Sequence, residues 1–236
     1  MKKFVYIAIA ALFAVCSCHK LTSIDDSVIT YYVNLHIQGD QFMQVPIGTA
    51  FVDPGCKADV EGKDVTNTIK VSGDEVDPNV AGLYYITYSA TNKDGYTSKA
   101  TRTVAVCDPT IETDISGKYT TKEGTHRHVT TTGAKVAFPG IGPITIRKDA
   151  PGIFYVSDII GGFYSIRAGY GGNYAMKGYI RLFADNHLEI LSGHVAGWND
   201  DFIGDGFKEG SYDPATGAIN WCVTYGYPNW DFYVCL

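Results

Sequence analysis

Tyr31, Val33, Leu35 and Ile37 alternate with Tyr32, Asn34, His36 and Gln38, a period of two that predicts a half-buried strand. The same rhythm returns at 82–90, followed by an Asn92-Lys93-Asp94-Gly95 hairpin turn and a strand over 99–106. Phe51-Val52-Asp53-Pro54-Gly55 breaks the pattern, and 65–71 reads as a short strand. Pro109 marks a boundary, beyond which Gly-Tyr-rich sequence opens a strand at Gly117-Lys118-Tyr119-Thr120. Further strands are predicted at 135–138, 144–148, 153–156, 176–183, 188–191, 209–212, 218–225 and 230–236. In Asp213-Pro214-Ala215-Thr216-Gly217, Pro early and Gly late suit a type I turn with a glycine bulge. No stretch shows helical periodicity. The expectation is an all-β chain.

The beginning of the chain obeys a different pattern. Lys2 and Lys3 precede an apolar run over 4–15, too short to span a bilayer but suited to a signal sequence. Val15-Cys16-Ser17-Cys18 then places an apolar residue three positions before Cys18 and a small one immediately before it. The segment resembles a bacterial lipoprotein signal, with 1–17 removed, Cys18 acylated and 18–28 left as a tether. Lipid chains would then hold the protein on the membrane. Asp25-Asp26 resembles the surface-export signals of Bacteroides-type lipoproteins, although it lies further from the lipid site than those usually do.

Composition narrows the class. Of 236 residues, 45% are hydrophobic and 19% charged, with 26 Gly and a net charge of -6. Disorder and a polytopic membrane protein are excluded, and an acidic chain argues against nucleic acid as a partner. Seventeen Tyr and eleven Phe favour strands over helices.

Seven or so short strands in about 80 residues is the rhythm of an immunoglobulin-like sandwich. Phe51-x-Asp53-Pro54-Gly55, Asp64-Val65-Thr66, Val71-Ser72-Gly73, Gly82-x-Tyr84 and Tyr88-x-Ala90-x-Asn92-x-Asp94-Gly95 resemble the bacterial Ig-like domain of surface proteins. That resemblance implies a spacer over 29–108, with no catalytic residues. The segment Tyr155-Val156-Ser157-Asp158-x-x-Gly161-Gly162-x-Tyr164, the glycines at 169, 171 and 172, and Tyr212-Asp213-Pro214-Ala215-Thr216-Gly217 resemble a second family. These are uncharacterised C-terminal domains of Bacteroides-type lipoproteins with the Ig-like module in front. Separately, eight or so antiparallel strands in about 125 residues predict a C-terminal antiparallel β-barrel or sandwich over 109–236.

The last hairpin predicts its own facing. Ile219, Trp221, Val223 and Tyr225 alternate with Asn220, Cys222 and Thr224, so the first set faces a core. Placing Cys222 opposite Cys235 sets Trp221 against Leu236 and Tyr225 against Phe232, with a Pro228-Asn229 tip that is not a favoured two-residue turn. In an exported chain a Cys222–Cys235 disulfide follows, stabilising by about 3 kcal/mol. Cys56 and Cys107, placed at one end of an Ig-like sandwich, form a second candidate pair.

Candidate chemistry is sparse. His126-Arg127-His128 sets two imidazoles on one face of an extended segment, without a third ligand at metal spacing. Asp200, Asp201 and Asp205 cluster without the spacing of a known calcium loop. No nucleophile, zinc or phosphate-binding signature appears, and no metal, cofactor or catalytic residue is expected. Sugar rings stack on exposed aromatics while Asn and Asp reach their hydroxyls. Trp198 with Asn199 and Asp200, and Tyr227 with Trp230, are the aromatic-polar pairings placed in loops. The expected function is a glycan-binding accessory lipoprotein of the outer membrane, on its surface or periplasmic face, working beside a polysaccharide transporter. The alternative is a structural or protein-interaction lipoprotein with no small-molecule ligand.

Overall fold

The computed structural model describes residues 29–201, 206–226 and 230–236. The signal, Cys18 and the tether lie outside the described residues, as do Tyr227 and Asp205. Among the described residues no helix is long and apolar enough to cross a membrane.

The first seven strands are β1 (Asn34–Ile37), β2 (Phe42–Pro46), β3 (Cys56–Val60), β4 (Lys63–Asp64), β5 (Lys70–Gly73), β6 (Gly82–Thr91) and β7 (Thr97–Cys107). They form two sheets, ordered β1-β3-β4 and β2-β7-β6-β5, with β2 parallel to β7. The predicted strand at 65–71 is instead a 3-10 turn, Thr66–Thr68, followed by β5. Asp64 Oδ1 accepts the Thr66 amide at 2.7 Å and Thr66 Oγ1 accepts the Ala58 amide at 3.0 Å, which turns the chain before it can pair.

Val104 and Val106 point into this sandwich against Val45, Ile86 and Tyr88. Arg102 shares their face and is fully buried, so every donor needs a partner. Its Nε donates to Asp53 at 3.0 Å and to the Tyr88 hydroxyl at 3.3 Å. Its terminal nitrogens donate to the carbonyls of Asp40, Gln38 and Gly55. The Tyr88 hydroxyl donates in turn to Asp53. The Asp53-Pro54-Gly55 corner is thus fixed by one buried guanidinium.

The opposite face of β7 is also covered. Ala105 and Cys107 pack with Phe42 and Leu83 against Ala150, Ile153, Tyr179 and Leu191 of the second half. Gln44 Nε2 donates to the Asp149 carbonyl, Arg181 to the Ala81 carbonyl, and the Phe42 and Tyr179 rings stack at 6.3 Å. This alternation separates the predicted Cys56–Cys107 pair: Cys56 packs against the sandwich core, Cys107 against the second half, and both thiols are free.

The second half contains β8 (Gly117–Tyr119), β9 (His126–Val129), β10 (Lys135–Ala137), β11 (Ile144–Ala150), β12 (Ile153–Val156), β13 (Lys177–Leu182), β14 (Leu188–Val195), β15 (Asp200–Asp201), β16 (Phe207–Asp213), β17 (Ala218–Tyr225) and β18 (Trp230–Cys235). One sheet is ordered β15-β14-β13-β12-β11-β8 and the other β10-β9-β18-β17-β16. The two face each other over Phe154, Ile180, Trp221, Val223, Phe232 and Val234 without closing into a barrel. Of the two architectures left open, the sandwich is the one formed. The Asp213 turn forms as expected, with Gly217 at φ +71° donating to the Asp213 carbonyl.

The β17–β18 hairpin keeps its predicted facing but not its register. Trp221 opposes Val234, Cys222 opposes Tyr233 and Asn220 opposes Cys235, a displacement of two residues. Tyr225 and Trp230 close the hairpin, so the connection is four residues long instead of a strained Pro-Asn turn. Cys222 and Cys235 then sit diagonally, a relation that spans roughly 7–8 Å between Cα atoms and is too wide for a disulfide. Both are free thiols, and burial pushes the Cys222 thiol up to about 11.

Candidate functional site

The segment between β12 and β13 is built around Asp158. Its carboxylate accepts the Ser165 hydroxyl at 2.5 Å and the amides of Ile160 and Met176 at 3.2 and 3.4 Å. Both ends of the loop are therefore tied to one buried side chain. Burial pushes the Asp158 carboxyl up to about 6, against the opposing pull of these hydrogen bonds. Gly161 and Gly162 follow with φ of +68° and +78°, and a Cβ on Gly162 would stand 2.7 Å from the Ile141 side chain. Only glycine fits that approach. The chain then enters a π-helical turn, Phe163–Arg167, a geometry that recurs at functional sites.

This loop delivers three tyrosines to Trp198, which lies on the turn between β14 and β15. Tyr164 and Tyr174 meet the Trp198 ring edge-on at 4.8 and 4.9 Å, and Tyr170 does so at 6.3 Å. Tyr225 lies tilted at 6.5 Å. Gly197 makes this possible, because a Cβ there would fall 2.7 Å from the Tyr174 ring. Tyr164 and Tyr225 are buried, whereas Trp198 is 42% and Tyr170 56% exposed. Two open aromatic faces therefore stand on a rigid aromatic base.

The polar residues expected beside Trp198 are both there. Asn199 occupies left-handed backbone at φ +49° and is exposed. Asp200 pairs with Val195 across β14–β15 and accepts the Tyr225 hydroxyl. Burial, with that hydrogen bond to Asp200, holds the Tyr225 hydroxyl well above the usual tyrosine range. Asp201 is engaged by His194 at 2.6 Å.

Trp230 is partly covered: the Arg127 guanidinium sits 4.3 Å from its ring centroid and 4.7 Å from that of Phe163. Trp230 joins the platform through Tyr164 at 6.4 Å and forms its flank, not an open face. Trp221, expected to be buried, is 3% exposed and donates to the Ile159 carbonyl at 2.6 Å, bracing the Asp158 loop from below.

The extended segment 126–128 forms β9, paired with β10 and β18. His126 stacks on Tyr233 at 4.5 Å and His128 lies 3.7 Å from Asp231, both on the face away from the core. Among the described residues no group of three potential ligands surrounds a metal position. Arg127, Tyr164, Tyr170 and Tyr174 are the site residues that sequence reasoning did not assign. The linear signal for the three tyrosines is a Gly-Tyr-rich stretch between two strands, whereas Arg127 lies in β9 outside it.

A bacterial-type Ig-like sandwich in front of a second sandwich that presents an aromatic platform defines the class of this chain. Residues 35–106 match the family of bacterial surface protein Ig-like domains, and residues 108–236 match a family of C-terminal domains. The crystallised lipoprotein BT2262 from Bacteroides thetaiotaomicron is 40% identical, with 86% of this chain and 98% of that one covered and a TM-score of 0.47. The chain belongs to that family. Two structures from Clostridium perfringens ZmpB are also similar to part of it. One contains the M60 catalytic domain with CBM51-1 and CBM51-2, at 18% identity and TM-score 0.28 over 55% of this chain and 14% of that one. The other contains CBM51-2 in complex with GlcNAc and INT domains, at 21% identity and TM-score 0.26 over 52% and 28%. No curated protein matches the chain.

Proposed function

We propose that the protein is a cell-envelope lipoprotein, anchored through acylated Cys18, that binds glycan without catalysis through Trp198 and Tyr170. The observation that supports this reading is a pair of exposed aromatic rings on a shared base: Trp198 meets Tyr164 and Tyr174 edge-on, and Tyr170 meets Tyr174 edge-on and stacks on Tyr164. Apolar sugar faces stack on such rings, and a base that is already ordered lowers the entropic cost of binding. Asn199 stands beside the platform to meet hydroxyl groups, with Asp200 and Trp230 at its margin. The Ig-like half acts as a spacer that carries the platform away from the membrane. Membership of a lipoprotein family and the Val15–Cys18 box support the anchor, and an outer-membrane polysaccharide transporter is the partner such an accessory protein would serve.

Two measurements test this. Cys18→Ala should release the protein from the membrane fraction; a wild-type chain that is soluble and begins elsewhere overturns the anchor. On a glycan panel, Trp198→Ala should lose binding while its unfolding midpoint stays within a few degrees of wild type. A blank panel for the wild-type chain leaves the protein-interaction reading, for which exposed Ile166 on the same loop supplies an apolar contact.

A further inference from the structure

The chain has five arginines, and three are satisfied by its own oxygens. Arg102 pairs with Asp53, Arg147 with Asp149, and Arg181 donates to the Ala81 carbonyl. The other two, Arg127 and Arg167, are both at the aromatic platform. Arg127 extends from β9 on the side of Phe232 and lies between the Trp230 and Phe163 rings. Arg167 ends the π-helical turn, is exposed, and lies 5.2 Å from the same Phe163 centroid.

Among the described residues neither arginine meets a carboxylate. Among the described residues the one oxygen that engages Arg127 is the Tyr164 hydroxyl, and its Nε is buried without an acceptor there. Buried donors are ordinarily satisfied, and a guanidinium presents a planar fork that fits carboxylate and sulfate groups. Two cations with no carboxylate partner among the described residues are conspicuous on a chain with 25 acidic against 19 basic side chains. Aromatic stacking alone would be served by a neutral sugar and gives no reason for them.

We infer that the platform takes an acidic glycan, one bearing carboxylate or sulfate groups. Arg127 and Arg167 receive the anion while Trp198 and Tyr170 stack on a sugar ring. This rests on the glycan-binding reading and specifies its ligand.

The test is a panel of neutral, uronate-bearing and sulfated glycans bound to the mature chain. Calorimetric titration of the best acidic ligand follows, beside its carboxyl-reduced or desulfated counterpart. The expected result is an acidic ligand whose affinity falls at least ten-fold on neutralisation and weakens as salt is raised. Loss on carboxyl reduction assigns a uronate, and loss on desulfation a sulfate. Arg167→Gln, an exposed change that should leave the unfolding midpoint in place, should reproduce the ten-fold loss even if Arg127→Gln disturbs the fold. Equal binding of the neutral counterparts, or an unaffected Arg167→Gln, overturns the acidic specificity and leaves glycan binding standing. A panel blank throughout overturns both.

Discussion

Replacing Asp158 by Asn should change how the stability of the second half responds to pH. Burial raises the Asp158 carboxyl from 3.8 to about 6. At 1.36 kcal/mol for each pH unit, that displacement corresponds to about 3 kcal/mol. The folded state holds a proton that the unfolded chain releases, so this group's contribution is fully present below about pH 4. It is lost as pH rises through about 6. Asn keeps a carbonyl oxygen for the Ile160 and Met176 amides and cannot ionise, and the Ser165 hydroxyl can turn to accept from its amide. The variant should therefore gain on wild type by about 3 kcal/mol between about pH 4 and pH 7. Asp59, Asp64 and Asp213 are held below the usual range by hydrogen bonds from His36, Thr66 and Thr216, and they slope the opposite way. They are common to both proteins and cancel in the difference. Denaturant unfolding followed by tryptophan fluorescence reads the right half of the molecule, since all three Trp lie beyond residue 109. Parallel stability curves for the two proteins would refute the assignment.

Three further outcomes follow from the packing. Trp221→Ala should destabilise the second half by about 3–5 kcal/mol, against about 1 kcal/mol for Trp198→Ala, both read by denaturant midpoints; equal losses would remove the distinction between brace and platform. Arg102→Ala should cost the Ig-like half about 3–5 kcal/mol by circular dichroism, and Arg102→Lys should not restore it, because one ammonium cannot reach Asp53 and three carbonyls. Gly197→Ala should displace the Tyr174 ring at a cost of about 1–3 kcal/mol and weaken ligand binding in calorimetry; unchanged binding would show that the Tyr174 contact is dispensable.

Much of the fold is legible because alternation is a local property. Val104 and Val106, or Trp221 and Val223, declare their facing without knowledge of a partner. Register is a different matter: it depends on how the hairpin closes, and the Tyr225–Trp230 pair overrides the arrangement suggested by Cys222 and Cys235. The β9 strand is hidden because its inward face carries Arg127 under aromatic rings, so its sequence reads as polar on both sides. The 3-10 turn at Thr66–Thr68 is likewise decided by side-chain oxygens that a hydrophobic pattern does not weigh. Trp198, Asn199 and Asp200 could be picked out as aromatic-polar neighbours in one loop. Their companions Tyr164, Tyr170 and Tyr174 belong to a segment more than twenty residues earlier, and only the Asp158 loop brings them together.

The central claim is that the Trp198 platform receives glycan, and the three tryptophan indole N–H signals report on it directly. In an isotope-labelled sample titrated with a glycan selected from the panel, the Trp198 indole signal should move in proportion to saturation, and that of Trp230 should follow more weakly. The Trp221 signal should stay fixed, because its Nε1 is bonded to the Ile159 carbonyl beneath the platform. A saturating ligand that leaves Trp198 unmoved, or that shifts Trp221 first, would place the binding site elsewhere and contradict the account.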